Sequence, residues 1–332
     1  MGLRLVPSAA VLGAAAVVMR LAWEILTPAP ALDTGARVVE IPAHQGVLTI
    51  ATTLVGAGVV RSRVGFVALT LARGSARKLQ AGEYEVERAT DTLGVLRLLE
   101  SGRVKQHVVL HPEGATVTEL AGELERDRIA SAAAIIRIAH DPTFLRELGI
   151  PGPSVEGYLF PDTYQFVRGM TPDEVLTRMV QRLRTKLTPD MLARARRRGL
   201  GIHGLLTLAS IIEREAVARD ETRLISAVFW NRLKLDMPLQ ADPTVQYALE
   251  KERRTLTRAD LLVDHPFNTY RHAGLPPGPI ASPGLEAIEA ALDPAPVKYL
   301  YFVAMNDRHH CFSTTVAQHK AAVARYRLAR SR

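Results

Sequence analysis

The sequence predicts an α+β protein of two domains that follow an apolar N-terminal helix. Its strand-like and helix-like stretches do not alternate as regular βα units, which argues against a parallel α/β sheet. An uncharged, mostly apolar run occupies residues 5–19, and a Pro/Ala-rich stretch separates it from the rest of the chain. The 332 residues are enough for two domains, each with its own core.

The N-terminal apolar run is short for a membrane span, which needs ~20 residues. Extending it to residue 26 supplies the length but includes Arg20, whose charge can reach an interface by snorkelling. A buried helix and a cleaved signal peptide are alternatives, but no small-residue cleavage site follows the run closely. We therefore predict an uncleaved anchor at 1–27 and a linker at 28–36, with Arg4 on the cytoplasmic side.

Residues 37–108 predict a small mixed domain. It contains three strand-like stretches, at 37–44, 79–86 and 104–114, and three helices, at 48–60, 62–74 and 91–102. Asp91 is a typical N-cap of the third helix, and Gly102 is a typical stop. Because the domain holds no cluster of catalytic residues, it is a natural binding module.

Residues 109–332 predict a second, mainly helical domain. A loop rich in turn formers and aromatic residues occupies 151–166. Long helices follow at about 171–199 and 203–218, and a last helix runs from about 316 to 329. Before that helix, "YLYFVA" and "HCFSTT" predict an antiparallel strand pair.

Composition and motifs exclude several kinds of function. The net charge is +8, but the basic residues are scattered and only 5% of residues are aromatic, which argues against a nucleic-acid partner. The single cysteine, Cys311, excludes an intrachain disulfide and zinc ribbons. With His309 and His310 it lies on a predicted strand whose side chains alternate between faces. We expect no metal, and no nucleotide because there is no GxxxxGK[ST] loop.

The stretch "LASIIEREA" at 208–216 places two carboxylates in an aliphatic run. On a helix spanning 205–217, Glu215 lies within about 60° of the leucine and isoleucine side chains three, four and seven residues before it. Glu213 has the smaller Ala209 and Ser210 beside it, so we expect it to be the wetter of the two. Desolvation should therefore raise the pKa of Glu215, as a general acid requires. The alternative is a solvated Glu215 paired with an arginine four residues later, Arg219.

Downstream loops are dense in Asn, Gln, Asp, Thr and Tyr and are bounded by proline and glycine, which suits a hydroxylated or amide-bearing ligand. With these loops the chain resembles the YceG-like (MltG) family of endolytic murein transglycosylases over nearly its whole length after the anchor. The matching segments are "EGYLFPDTY", "LASIIERE", "VFWNRL", "MPLQADPTVQYAL", "FNTY", "GLPPGPIASPG" and "YLYFV".

The resemblance implies a single-pass protein of the bacterial cytoplasmic membrane, with a LysM-like domain at 37–108 and a catalytic domain at 109–332 on the outer side. It implies cleavage of nascent peptidoglycan strands between N-acetylmuramic acid and N-acetylglucosamine, which leaves 1,6-anhydro ends and is linked to terminating strand elongation. Cell-wall synthases are candidate partners, and no cofactor is implied. The chain departs from the family in carrying His319-Lys320 where a His-Asn pair is usual.

The essential glutamate of the family falls on Glu215, which would act as general acid and then as general base. Asp242 or Asp162 could assist by holding the positive charge of the transition state. The other candidate contacts with the sugar and its N-acetyl group are Asn231, Gln240, Thr244, Asn268 and Tyr270.

Three other functions are compatible with parts of the sequence. A muramidase-type hydrolase would need a water-activating base, for which Asp242 and Glu156 are candidates. A membrane-anchored peptidoglycan-binding scaffold would need no catalysis. Aminodeoxychorismate lyase, an old label of this family, would need pyridoxal phosphate on a lysine, and the motif core contains none.

Overall fold

The computed structural model describes residues 9–30, 35–251, 254–305 and 309–330. Its helices are α1 (Ala9–Leu26), α2 (Val47–Gly56), α3 (Arg63–Ala72), α4 (Thr92–Ser101), α5 (Val117–Arg126), α6 (Ala132–Ala139), α7 (Pro142–Glu147), α8 (Pro172–Lys186), α9 (Pro189–Arg197), α10 (Ile202–Glu215), α11 (Thr222–Lys234), α12 (Asp242–Ala248), α13 (Leu285–Leu292) and α14 (Val316–Arg330). Its strands are β1 (Arg37–Ile41), β2 (Gly82–Val86), β3 (His107–His111), β4 (Asp162–Phe166), β5 (Tyr301–Ala304) and β6 (His310–Ser313). The strands pair as β1 with β2, β3 with β4, and β5 with β6. The predicted α+β class is confirmed.

The first of two compact units covers the described part of 1–107 together with 165–169. Strands β1 and β2 pair antiparallel, with Val39 opposite Tyr84. The core contains apolar side chains of both strands and of α2, α3 and α4. Asp91 accepts a hydrogen bond from Gly94 N as the N-cap of α4, and Gly102 ends that helix in the left-handed region, as the sequence predicts.

Helix α1 packs against α3 and α4 within this unit. The guanidinium of Arg61 lies 4.6 Å from the centre of the Trp23 ring and donates to the carbonyl of Pro28 at 2.7 Å. Within the residues that the structure describes, we find no helix with both the length and the apolar character to cross a membrane. Residues 1–8 of the predicted anchor and 31–34 of the predicted linker lie outside the described residues.

The second unit covers 108–164 and the described part of 170–332. Helix α10 is central to it because residues 205–212 are all buried and α9, α11, α12 and α13 pack around them. Strands β5 and β6 pair antiparallel, with Tyr301 opposite Ser313, which confirms the predicted strand pair.

Two helix boundaries differ from the prediction. The helix expected over about 171–199 is divided into α8 and α9, because Thr188 caps a new helix by accepting from Met191 N and Pro189 occupies its first position, where its missing N–H costs nothing. The helix expected to reach 217 or 218 ends at Glu215, since the backbone of Ala216 is extended. The candidate acid therefore lies in the last turn of its helix.

Candidate active site

The candidate catalytic side chains gather where α10 ends. Buried aliphatic residues hold the preceding turns of this helix in the core, and its last turn carries Glu213 and Glu215, both half-buried. The C-terminal end of a helix has partial negative charge, which disfavours an ionised carboxylate. The position within the helix therefore favours the protonated form of both side chains.

Glu215 has the environment that the helix geometry predicts. Burial, followed by the negative charge of Asp242, raises the pKa of Glu215 to about 8. The positive charges of Arg232 and Arg214 and the backbone N–H of Asp242 act in the opposite direction without cancelling this effect. A carboxyl group with this pKa keeps its proton at neutral pH and can donate it in a reaction. The expected rise in the pKa of Glu215 is confirmed.

Asp242 begins α12 and is itself held by a tyrosine. The Tyr270 hydroxyl donates to Asp242 Oδ1 at 2.5 Å. Burial and this carboxylate both raise the pKa of Tyr270, so the phenol keeps its proton and serves as a donor. The loop that carries Tyr270 is tied to the start of α12, because Ala241 N donates to Thr269 Oγ1 at 3.0 Å. The pair thus fixes a negative charge beside Glu215.

Two cavities open at the end of α10. One has a volume of about 410 Å³ and extends from Glu215 towards Glu113 and Glu213. The other has a volume of about 240 Å³ and extends along strand β5. Among the described residues, three line both cavities: Glu215, Asp242 and His310. A ligand too long for either cavity would pass over these three side chains.

A third cavity, of about 450 Å³, lies beside α7 and the Pro/Gly turn at 151–153. Its described lining residues include His140 and Arg146 but no carboxylate. It therefore lacks the acid that cleavage of a glycosidic bond requires.

Glu213 is also largely buried, although less completely than Glu215, as the sequence predicts. The pKa of Glu213 is raised as well, and burial is the largest cause of this rise. The small side chain of Ser210 leaves room for the loop at 274–284, and Ser210 Oγ accepts from Ile280 N at 3.1 Å. The same loop covers Glu213, which accepts from Gly284 N at 2.9 Å. Helix geometry alone could not include this cover, because the loop comes from a distant part of the sequence.

Arg219, the ion-pair partner considered for Glu215, lies beside two other glutamates. Arg219 lies 3.5 Å from Glu113 and 3.7 Å from Glu286. Arg219 is exposed, so these ion pairs contribute little to stability.

The predicted ligand contacts separate into two groups. Gln240, Asp242 and Tyr270 line the smaller cavity with Glu215. The others make hydrogen bonds inside the protein: Asn231 Nδ2 to the carbonyls of Val297 and Tyr299, Thr244 Oγ1 to Ala241 and Thr269, Asn268 Nδ2 to the carbonyls of Leu261 and Val263, and Asp162 with Arg182.

Those four side chains, Asp162, Asn231, Thr244 and Asn268, are absent from the described linings of both cavities next to Glu215. Asn231, Thr244 and Asn268 instead hold neighbouring loops in place. This internal role accounts for part of the high density of polar residues there. Direct contact between these four and a ligand stays a prediction.

Sequence reasoning missed Arg232. This residue is buried, lines the smaller cavity and lies 5.2 Å from the centre of the Tyr301 ring. Its Nε donates to Leu300 O, and Nη1 donates to Leu239 O. Because Arg232 links α11 to β5 and to the segment before α12, it shapes the cavity. The available signal was an arginine within an otherwise buried stretch of α11.

His310 was also missed, although it lines both cavities. The sequence suggested it only as a metal ligand, with its strand neighbours. Its partner Glu221 belongs to a 3-10 helix at the start of α11, 89 residues away in the chain. That separation is the reason why no local pattern could pair the two.

The chain is similar to known proteins over most of its length. The sequence model of the YceG-like family matches residues 39–325. An endolytic murein transglycosylase of Bacillus subtilis (strain 168) is 33% identical over 303 residues, covering 87% of this chain and 84% of that protein. A protein of the same name from Streptococcus pneumoniae (strain D39) is 32% identical over 297 residues, covering 80% of this chain and 54% of the relative. The chain thus spans about half the length of the streptococcal protein.

Among solved structures, the crystal structure of a YceG-like protein from Listeria monocytogenes is similar over most of the fold. The TM-score is 0.62 and the sequence identity 32%, and the match covers 86% of this chain and 98% of that chain. The likeness in structure therefore covers about as much of the chain as the likeness in sequence.

Proposed function

The chain belongs to the YceG-like family, and we propose that it is an endolytic murein transglycosylase with Glu215 as its general acid and base. Its relatives in Bacillus and Streptococcus carry that name. The observation that carries the proposal is the position of Glu215, a carboxyl group whose pKa of about 8 lets it hold a proton at the junction of two cavities.

The reaction uses Glu215 twice. The protonated carboxyl donates to the oxygen of the glycosidic bond between N-acetylmuramic acid and N-acetylglucosamine, and the bond from muramyl C1 to that oxygen breaks. The oxygen of the muramyl C6 hydroxyl then bonds to C1, and the Glu215 carboxylate accepts the hydroxyl proton. The products are a 1,6-anhydro end and a free 4-hydroxyl group, and Glu215 is protonated again. The reaction consumes no water, and it requires no second carboxylate for proton transfer.

Asp242 stabilises positive charge that develops at muramyl C1. Its carboxylate lies close enough to Glu215 to raise the pKa of that residue, and it is oriented by the hydroxyl of Tyr270. A preorganised negative charge lowers the energy of an oxocarbenium-like transition state more than that of the neutral ground state. Asp242 therefore has two effects, which are keeping Glu215 protonated and stabilising the cation.

The pair of cavities suits cleavage within a strand. Because the cavities share Glu215, Asp242 and His310, a glycan can occupy both at once with its scissile bond over Glu215. Sugars then bind on both sides of the bond, which is the requirement for endolytic cleavage. The smaller cavity offers Gln240 and Tyr270 for hydrogen bonds with hydroxyl and N-acetyl groups.

The test compares wild type, Glu215→Gln and Glu213→Gln on purified nascent glycan strands, with the products read by mass spectrometry. Wild type should give 1,6-anhydro ends, and Glu215→Gln should give none, because an amide cannot donate the proton. Glu213→Gln is the matched control: it changes a carboxyl in the same turn of α10 and can still accept from Gly284 N, so it should keep most cleavage. Full activity in Glu215→Gln would remove Glu215 from the mechanism.

The same digestion separates the rival functions. Products with reducing ends and no anhydro sugar would indicate a hydrolase, and no cleavage by wild type would favour a binding scaffold. One of the two bases considered for a hydrolase lies elsewhere, since the Glu156 carboxylate is buried and accepts from Val117 N at 3.1 Å in the first turn of α5. Asp242 is the base candidate that lines the cavities.

We also propose that residues 1–27 anchor the protein in the bacterial cytoplasmic membrane, with the second unit on the outer side, and that 37–108 is a LysM-like glycan-binding domain. Exposed apolar side chains on α1, such as Val18 and Met19, support the anchor. Protease accessibility in intact spheroplasts tests the orientation. Pull-down of peptidoglycan by residues 28–108 tests the binding domain, and co-purification with cell-wall synthases tests the proposed partners.

A further inference from the structure

His310 is held from two sides by one carboxylate. Glu221 accepts from the backbone N of His310 at 2.9 Å and from its Nδ1 at 2.8 Å. Both side chains are only 8% exposed. A carboxylate can only accept, so the hydrogen bond to Glu221 places the ring proton on Nδ1. In the neutral ring, Nε2 then carries the lone pair.

Of the two ring nitrogens of His310, Nε2 is the one that can serve a ligand in the cavities. Its Nδ1 is engaged by Glu221, and the rings of Phe302 and Phe312 pack against the imidazole, with centroids 5.2 Å and 6.3 Å away. The residue nevertheless lines both cavities, together with Glu215 and Asp242. The two phenylalanine rings and the Glu221 carboxylate thus fix the imidazole where a glycan that occupies both cavities would pass.

We infer that His310 is a second catalytic residue, whose Nε2 accepts a hydrogen bond from the sugar hydroxyl that attacks muramyl C1, and that Glu221 is its positioning residue. This inference rests on the proposed transglycosylase function. In the bound substrate the O–H points to Nε2, which orients the hydroxyl oxygen towards C1 while Glu215 still holds its own proton. Once Glu215 has given that proton to the glycosidic oxygen, the O–H turns from Nε2 to the Glu215 carboxylate, which takes the proton as the oxygen bonds to C1. The chemical balance of the reaction is therefore unchanged, and His310 contributes by aligning the attacking group.

The decisive variants are His310→Asn and His310→Gln. The amide nitrogen of asparagine lies as many bonds from Cα as Nδ1, so His310→Asn keeps a donor for Glu221 but removes the group at Nε2. The amide of glutamine reaches the position of Nε2 instead. We expect kcat to fall about 10²-fold in His310→Asn, as for removal of a positioned catalytic group, with little change in KM. His310→Gln should recover about tenfold of that loss.

His309→Asn is the matched control. It alters the neighbouring histidine, whose Nε2 lies 3.8 Å from Asp220 and whose side chain is 44% exposed, and it should leave kcat within about twofold of wild type. Glu221→Gln should lower kcat while KM changes little, because it weakens the hold on the ring without touching the substrate. Thermal unfolding of each variant shows whether the second unit is still folded.

The outcomes distinguish a failure of the role of His310 from a failure of the proposed function. If Glu215→Gln is inactive and His310→Asn keeps wild-type kcat, the role of His310 is overturned while the proposed function stands. Equal losses in His310→Asn and His310→Gln, or a change in KM alone, also overturn it, because either would indicate a structural role. If Glu215→Gln is fully active, the proposed function itself fails.

Discussion

Replacing Glu215 with glutamine should stabilise the second unit, and the gain should grow with pH. The carboxyl ordinarily has a pKa of 4.5, and in the folded protein burial and Asp242 raise it to about 8. A folded-state pKa above the unfolded value means that the folded protein holds a proton that the unfolded chain releases. Stability is therefore complete below pH 4.5 and falls as the pH rises through about 8. Glutamine has the size of glutamate but no charge, so the variant escapes this loss.

The magnitude follows from the interval between the two pKa values. It spans about 3.5 pH units, and at about 1.4 kcal/mol per unit the full penalty for ionising Glu215 is about 5 kcal/mol. Because Glu215 lines open cavities, solvent screens part of this cost, which leaves about half of it. The free energy of unfolding of Glu215→Gln minus that of wild type should thus increase by about 2–3 kcal/mol between pH 5 and pH 9.

Urea unfolding at pH 5, 7 and 9 measures this difference. The chain has two tryptophans, and in a Trp23→Phe background Trp230 reports on the second unit alone, where its Nε1 donates to Ala291 O at 2.8 Å. Glu213→Gln is the control in the same turn of the helix. Its gain should be smaller, because the N–H of Gly284 favours the ionised form of Glu213. A difference for Glu215→Gln that does not change with pH would refute the raised pKa.

Two further predictions concern the surroundings of Glu215. Asp242→Asn removes the charge that most raises the pKa of Glu215 after burial, so the alkaline limb of the kcat/KM profile should move to lower pH, and an unmoved limb would contradict the coupling. His111 is buried, with a pKa lowered by burial to about 4, and lies 2.8 Å from Ser282 Oγ. Its contribution is present above pH 6.5 and is lost as the pH falls towards 4, so the free energy of unfolding of wild type minus that of His111→Gln should fall by about 3 kcal/mol over this range. His111→Gln should lose less in the same urea titrations, and an equal loss would show that His111 is not the group responsible.

Local features of the fold could be predicted from sequence because they depend on neighbouring residues. The N-cap Asp91 and the stop at Gly102 define α4, and the strand pair β5–β6 follows from two β-rich stretches close together in the chain. The break between α8 and α9 was missed although its signal was present, since Thr188 and Pro189 form a typical helix start. There, an unbroken helical pattern on both sides hid the boundary.

The candidate site divides in the same way. The sequence by itself determined that Glu215 lies against the buried stripe of α10, because side-chain angles along one helix depend only on spacing. It also determined the family, through motifs spread over nearly the whole chain. It could not separate polar loop residues that face a cavity, such as Gln240, from those that hold the loop, such as Asn268.

Only the tertiary structure decided which distant groups meet at Glu215. Loop 274–284 covers Glu213, Asp242 raises the pKa of Glu215, and Glu221 fixes His310 across 89 residues of sequence. Desolvation and charge coupling depend on distances in space, and these distances are set by how α10, α12 and β6 pack together. The sequence thus predicted Glu215 as the candidate acid, and the packing determined its protonation state and its partners.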